Sequence, residues 1–210
     1  VKHASVEHEE NVYEKIEAKD IRRVKISGNA RSIIIKQGAD TAFKFQNADL
    51  NTANTYDVRS SRNGDTLNIS VMMKNGEEDN DILGSFLIYL PRKEFDVIET
   101  AGDFKQIHIN PIHSDIFLHA DKSVVALHLE AAKLDHDIVL DGSEANPFKS
   151  VFVYFDPVPA SIKMEVNPIQ NGSIQDPQHI LDNGRLVSGT EKPVIRIHAA
   201  KEINLYKENS

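Results

Sequence analysis

Nine histidines in 210 residues are a rich supply of side chains that can ligate metals or carry protons. His108, His128 and His198 each stand between apolar neighbours, as in Ile107-His108-Ile109 and Leu127-His128-Leu129. On a strand such a histidine points away from the core, and two strands side by side bring theirs about 5 Å apart. Zinc could be shared across that gap, but a zinc site needs about three or four convergent ligands. Scattered surface histidines are the plainer reading. Carboxylates gather twice, in Glu77-Glu78-Asp79-Asn80-Asp81 and in Asp135, Asp137 and Asp141 around His136. Alternation into Ile138–Leu140 would send Asp135 and Asp137 to one face. Calcium takes about six to eight oxygens, and neither cluster has the EF-hand spacing or the nonapeptide calcium repeat. Glycan hydrolysis needs two carboxylates about 5–10 Å apart across a groove. Glu99, Asp103, Asp115, Glu130 and Asp137 are raw material for that chemistry on a β-helical scaffold. No nucleophile elbow, phosphate-binding glycine loop or His-Glu-x-x-His occurs, and the chain has no Trp and five Tyr, so sugar-stacking platforms are few. The sequence nominates no catalytic residue, metal ligand or cofactor-binding residue, and a non-enzyme is expected.

The elements that would position these groups are strands. Period-2 alternation runs through Val24-Lys25-Ile26, Phe43-Lys44-Phe45, Leu67–Val71, Phe86–Leu90, Ile107–Ile109, Leu127–Leu129, Ile162–Val166, Ile195–Ile197 and Ile203–Leu205, each placing apolar side chains on one face. Glycine-containing turn signals separate them, among them Ser27-Gly28-Asn29, Asn75-Gly76, Ala101-Gly102-Asp103 and Asn171-Gly172. Asn63-Gly64, between Tyr56–Arg59 and Leu67–Val71, predicts a tight hairpin, and Asp182–Arg185 a second. Glu9–Lys19 could be a helix, with a short entry strand at Lys15–Glu17 preferred. Anchors at Val97, Ile107, Leu118, Leu127 and Ile138 recur at intervals of 10, 11, 9 and 11 residues. Such spacing suits a sandwich, a barrel or a coiled solenoid of about 20 residues per turn. After Asp141 the rhythm loosens at Pro147, Pro157, Pro159, Pro168 and Pro177.

The expected fold is all-β, a single-stranded β-solenoid-like, irregular β-helix with β-hairpins, or alternatively a β-sandwich. Strand content should exceed about 40%, against a globular average of about 20–25%. Residues 1–14 read as a flexible lead and 15–207 as one strand-repeat domain. A net charge of −8 argues against nucleic acid and anionic lipid as partners. No apolar run approaches the roughly 20 residues of a membrane helix, so this segment should not insert directly into a membrane. The absence of cysteine removes disulfides and thiolate sites. A start at Val1 points to an upstream segment, either a signal peptide or anchor or merely a tag or disordered lead.

Ile21–Ile26 followed by Ile33–Gly38, the hairpin at Asn63-Gly64, and Phe86–Pro91 followed by Val97–Thr100 and Ala101-Gly102-Asp103 together resemble the bacterial putative-adhesin family of domains of unknown function. The resemblance spans Ile21–Leu205. It implies a β-solenoid held outside the membrane behind an N-terminal anchor, and it brings no catalytic residues. Gly102-Asp103 stands nearly alone where the family repeats its Ser-Gly-Asp turn. The expected function is a non-enzymatic, extracytoplasmic surface or adhesin-like scaffold meeting a protein, cell-wall or glycan partner. The alternatives are an envelope-sensing ectodomain and a polysaccharide-active enzyme on a β-helix.

Overall fold

The computed structural model describes residues 15–47, 56–74 and 85–208. The expected lead at 1–14, the Asn75-Gly76 turn and the acidic run Glu77–Asp81 lie outside them. The fold is all-β: sixteen strands form one open mixed sheet, and there is no helix among the described residues. The strands among the described residues amount to about half of the chain's length.

The strands are β1 (Ile16–Glu17), β2 (Arg23–Gln37), β3 (Ala42–Asn47), β4 (Tyr56–Asn63), β5 (Thr66–Met73), β6 (Phe86–Leu90), β7 (Val97–Ile109) and β8 (Ile116–His119). They continue with β9 (Val124–Glu130), β10 (Ile138–Asp141), β11 (Ser150–Asp156), β12 (Ile162–Asn167), β13 (Ser173–Gln175), β14 (Arg185–Ser188), β15 (Val194–His198) and β16 (Glu202–Lys207).

Their pairings trace two ladders joined through β2 and β7. The first runs β4, β5, the first half of β2, the first half of β7, then β8, β10, β15, β12 and β14. The second runs β1, β3, β6, the second halves of β2 and β7, then β9, β11, β16 and β13. Interior neighbours are parallel, and antiparallel pairs occur only at the ends, at β4–β5, β1–β3–β6 and β12–β14. Parallel neighbours require crossover connections. The five evenly spaced anchors alternate between the ladders for this reason: Val97, Leu118 and Ile138 lie in the first, Ile107 and Leu127 in the second. Alternation along each strand turns one face of each ladder inward, and those faces merge into one hydrophobic cluster. Tyr56 of the first ladder meets Phe86 of the second edge-on, with ring centroids 5.6 Å apart.

The structure corrects the expected punctuation at two glycines. Ser27-Gly28-Asn29 and Ala101-Gly102-Asp103 are not turns between strands; each lies inside one long strand, where β2 and β7 pass from the first ladder to the second. The supposed opening strand pair Ile21–Ile26 and Ile33–Gly38 is therefore mostly one strand. Gly28 and Gly102 are register partners. Gly28 has φ +122°, and a Cβ there would sit 2.0 Å from the Val71 carbonyl oxygen. A Cβ on Gly102 would sit 2.6 Å from the Gly28 oxygen. Three backbones pass too closely at this corner for any side chain.

The hairpin at Asn63-Gly64 exists, one residue later than expected. Asn63 pairs with Thr66, so the loop is Gly64-Asp65, with φ +63° at Gly64 alone, the type II′ pattern. Asn183 and Gly184, at φ 49° and 74°, form the type I′ turn instead, closed by reciprocal backbone bonds between Asp182 and Arg185 of 2.8 and 3.0 Å. The preferred entry strand near Lys15 is β1. Strand β11 went unread in the sequence, because Val151–Phe155 is apolar throughout and shows no alternation. The loosened C-terminal rhythm is a change of spatial order: β15 and β16, last in sequence, lie between β10–β11 and β12–β13.

Candidate functional site

Register places outward side chains in rows across each ladder, and the two outer surfaces differ. In the first ladder one row reads Asn68, Lys25, Glu99, Phe117, Val139, Arg196, Glu165, Arg185. Glu165 is bracketed by Arg185 at 3.4 Å, Arg196 at 3.7 Å and Lys163 at 3.9 Å. Glu99 shares a 2.7 Å hydrogen bond with His119. This is an ordinary solvated, ion-paired surface.

The two central outer rows of the second ladder carry no carboxylate; Glu130, Asp156 and Glu202 stand in the rows that flank them. One row reads Gln46, Leu87, Ile34, His108, Ala126, Phe152, Asn204, Gln175. Beside it run Lys44, Tyr89 and Lys36, and farther along the same side His128, Tyr154 and Tyr206. Leu87 and Ala126 are buried although they face outward, and Phe152, Tyr154 and Tyr206 are half-buried. His108, His128, Tyr154 and Tyr206 form a stack with centroids 6.3, 5.2 and 5.7 Å apart and planes within 20° of parallel. Burial, then the neighbouring His128, lowers the His108 pKa below the usual histidine value. His108 is therefore neutral at pH 7. An outward sheet face whose central rows are rich in aromatics and lack carboxylates has the composition of an interface core.

At the edge of this face lie two shallow hollows. One, of about 330 Å³, is lined by Lys36, Asn110, His113, Glu130 and Lys133. The other, of about 320 Å³, involves Asp40, Lys44 and Tyr89, and Gln37 borders both. By contrast, the apolar seam between Ile109 and Leu129 of the second ladder and Ile116 and Ile138 of the first holds only about 10 Å³, less than a water needs.

The loops leading into the first ladder carry a chain of polar contacts. Asp135 accepts from or shares protons with His113 Nδ1 at 2.8 Å and His136 Nδ1 at 2.6 Å, and His136 Nε2 meets Glu94 at 2.9 Å. Burial pulls the His136 pKa down, but hydrogen bonds to Glu94 and Asp135 outweigh it and the net shift is upward. Burial raises Asp135, and its two histidine partners reverse that to a net lowering. The network ties the loops before β7, β8 and β10 together.

The residues singled out from sequence are distributed as follows. His108 and His128 do come together, diagonally rather than in register, as stacked rings. His198 stands on β15 of the other ladder. Asp135 and Asp137 do not act as a pair: Asp135 binds the two histidines, while Asp137 Oδ1 accepts from the Val194 amide at 2.7 Å. Asp115 accepts from the Asp137 amide at 3.0 Å, Asp103 pairs with Lys105 at 3.2 Å and Glu130 with Lys133 at 3.1 Å. Among the described residues, no three His, Asp or Glu side chains converge as a metal site. Sequence reasoning missed Phe152 and Tyr154, whose signal was the doubly apolar run in β11, and Tyr206 on β16. It also missed His113 and Glu94, which become neighbours of Asp135 and His136 only through stacking of distant loops.

No family model matches the chain, and no curated protein matches it in sequence. Its fold is similar to the crystal structure of a "putative cell adhesion protein" from Clostridium sporogenes, with a TM-score of 0.57 at 15% identity over 95% of this chain and 99% of that one. A "putative adhesin" from Bacteroides fragilis aligns over 94% and 96% of the two chains at 11% identity, with a TM-score of 0.34. The clostridial likeness establishes a shared fold; the second is too distant to argue from.

Proposed function

We propose that this chain is a non-enzymatic interaction module working outside the cytoplasmic membrane, and that its two ladders form an irregular single-stranded β-solenoid. The outer face of the second ladder is the binding surface. The observation that carries this reading is the difference between the faces: one is ion-paired and solvated, the other aromatic and without carboxylates in its two central rows. Two further points support it. The carboxylates Asp103, Asp115, Glu130 and Asp137 hold partners within the fold, where a catalytic pair would face a shared groove. The fold is also shared, over 95% of this chain, with the clostridial "putative cell adhesion protein". The test is retention of the purified chain on isolated cell envelopes of its own source organism. Phe152→Ser with Tyr154→Ser should reduce retention at least about tenfold, as removal of aromatic anchors does at interfaces, while Arg196→Ser on the other ladder should leave it unchanged. Equal retention of all variants, or glycan turnover abolished by one carboxylate substitution, would contradict the reading.

A further inference from the structure

Lys44, Tyr89 and Lys36 are register neighbours on β3, β6 and β2, so the two lysines flank Tyr89 with their backbones about two strand spacings, or about 10 Å, apart. Lys44 lies over the Tyr89 ring, 5.9 Å from its centroid. Neither lysine has a carboxylate partner among the described residues, in a chain of net charge −8 where cations are outnumbered. The hollows beside them contain two carboxylates, Asp40 and Glu130, and Glu130 is already held by Lys133. The floor is rigid: Gln37 donates to the Pro91 carbonyl and accepts from the His113 amide at 3.3 Å. The Asn110 side chain at the rim has no partner among the described residues, leaving an amide that can donate and accept at once.

We propose that these adjoining hollows are one binding site for an acidic glycan, a chain in which carboxylate-bearing and neutral sugars alternate. The inference deepens the interaction reading above and rests on it. An extended β-linked pyranose chain advances by about one strand spacing per sugar, so a carboxylate on every second sugar meets Lys44 and Lys36 in turn. The sugar between them lies against Tyr89, and Asn110 takes up a hydroxyl pair farther on. Nucleic acid fits poorly, because its dense phosphates would need a continuous basic track, and the hollows offer no apolar pocket for peptide side chains.

Titration calorimetry on the full chain tests this with a hexasaccharide of alternating glucuronate and N-acetylglucosamine, and with the same chain after reduction of its carboxylates to alcohols. The acidic form should bind with an affinity that falls as salt rises. Lys36→Gln, Lys44→Gln and carboxylate reduction should each weaken binding about tenfold, the scale of a lost charge-assisted hydrogen bond, while Lys25→Gln on the first ladder should change it less than about twofold. Absence of binding, equal binding of the reduced chain, or indifference to both lysine substitutions would overturn the proposal. If envelope retention still depends on Phe152 and Tyr154 while the acidic hexasaccharide fails to bind, this inference falls and the wider reading stands. Loss of that dependence as well would remove both.

Discussion

The two outer surfaces of this molecule are built by the same backbone device and carry opposite chemistry. Each ladder is a run of mostly parallel strands whose inward side chains feed a common core. On the first ladder the outward positions hold Lys25, Glu99, Arg196, Glu165 and Arg185, with Glu165 within 4 Å of three cations. On the second they hold Ile34, Leu87, Phe152, Tyr154 and Tyr206, and among the described residues the formal charges in its two central rows are those of Lys36 and Lys44, with Glu130, Asp156 and Glu202 at the margins. Since the fold needs only the inward residues, the outward ones are free to vary, and their divergence separates what the scaffold requires from what a partner requires. An aromatic outer face costs solubility when bare. Its presence on one ladder and absence from the other argues that one side is covered in use.

The largest effect should come where the two faces are separated. Gly28→Ala would drive a Cβ into the Val71 carbonyl at a φ that disfavours side chains. Strain and overpacking together should destabilise the fold by about 3–5 kcal/mol, seen as a large loss in the denaturant midpoint or as failure to fold. A near-normal midpoint would mean that β2 does not bend at this residue. Gly64→Val should cost less, about 1–3 kcal/mol, because φ +63° strains a β-branched residue although the space around it is open. Being confined to the β4–β5 hairpin at one end of the first ladder, it should leave the partner-binding face intact; equal loss of stability and of envelope retention would show that the faces are not independent.

The smallest effect belongs to the loop network. His136 has a pKa raised by its carboxylate partners. Its stabilising contribution is thus fully present below the unfolded-state histidine value of about 6.5 and is lost as pH rises through the higher folded value. Asp135, lowered on folding, contributes above the unfolded carboxylate range and loses that contribution as pH falls. Thermal melts of the parent chain should therefore lose stability as pH rises above about 6.5, by up to about 1 kcal/mol for partners this exposed. The His136→Gln chain should lack that step. If both chains keep the same pH profile, the network does not form in solution.

Much of the scaffold could be read from alternation alone, because a half-buried strand writes its burial into every second residue. Leu67–Val71 and Ile162–Val166 are both strands with the predicted face inward. Alternation cannot say which strand lies beside which. The insertion of β15 and β16 between earlier strands, and the meeting of His113, Glu94, Asp135 and His136, depend on pairings between residues far apart in sequence. Gly28 and Gly102 look like turn residues because glycine serves both a turn and a crowded backbone crossing, and only the stacked neighbours distinguish these uses. The candidate face was hidden for a related reason: a strand apolar on both sides, such as Val151–Phe155, offers no periodic signal, yet its outward aromatics are what set the second ladder apart.

Which face meets the partner can be measured directly by hydroxyl-radical footprinting of the chain, free and bound to isolated envelopes. Phe152, Tyr154 and Tyr206 are half-buried reporters on the second ladder, and Phe117 is their counterpart on the first. Binding should lower oxidation of the three second-ladder rings and leave Phe117 unchanged. Protection of Phe117 with no change at Phe152, Tyr154 and Tyr206 would contradict the assignment of the binding face.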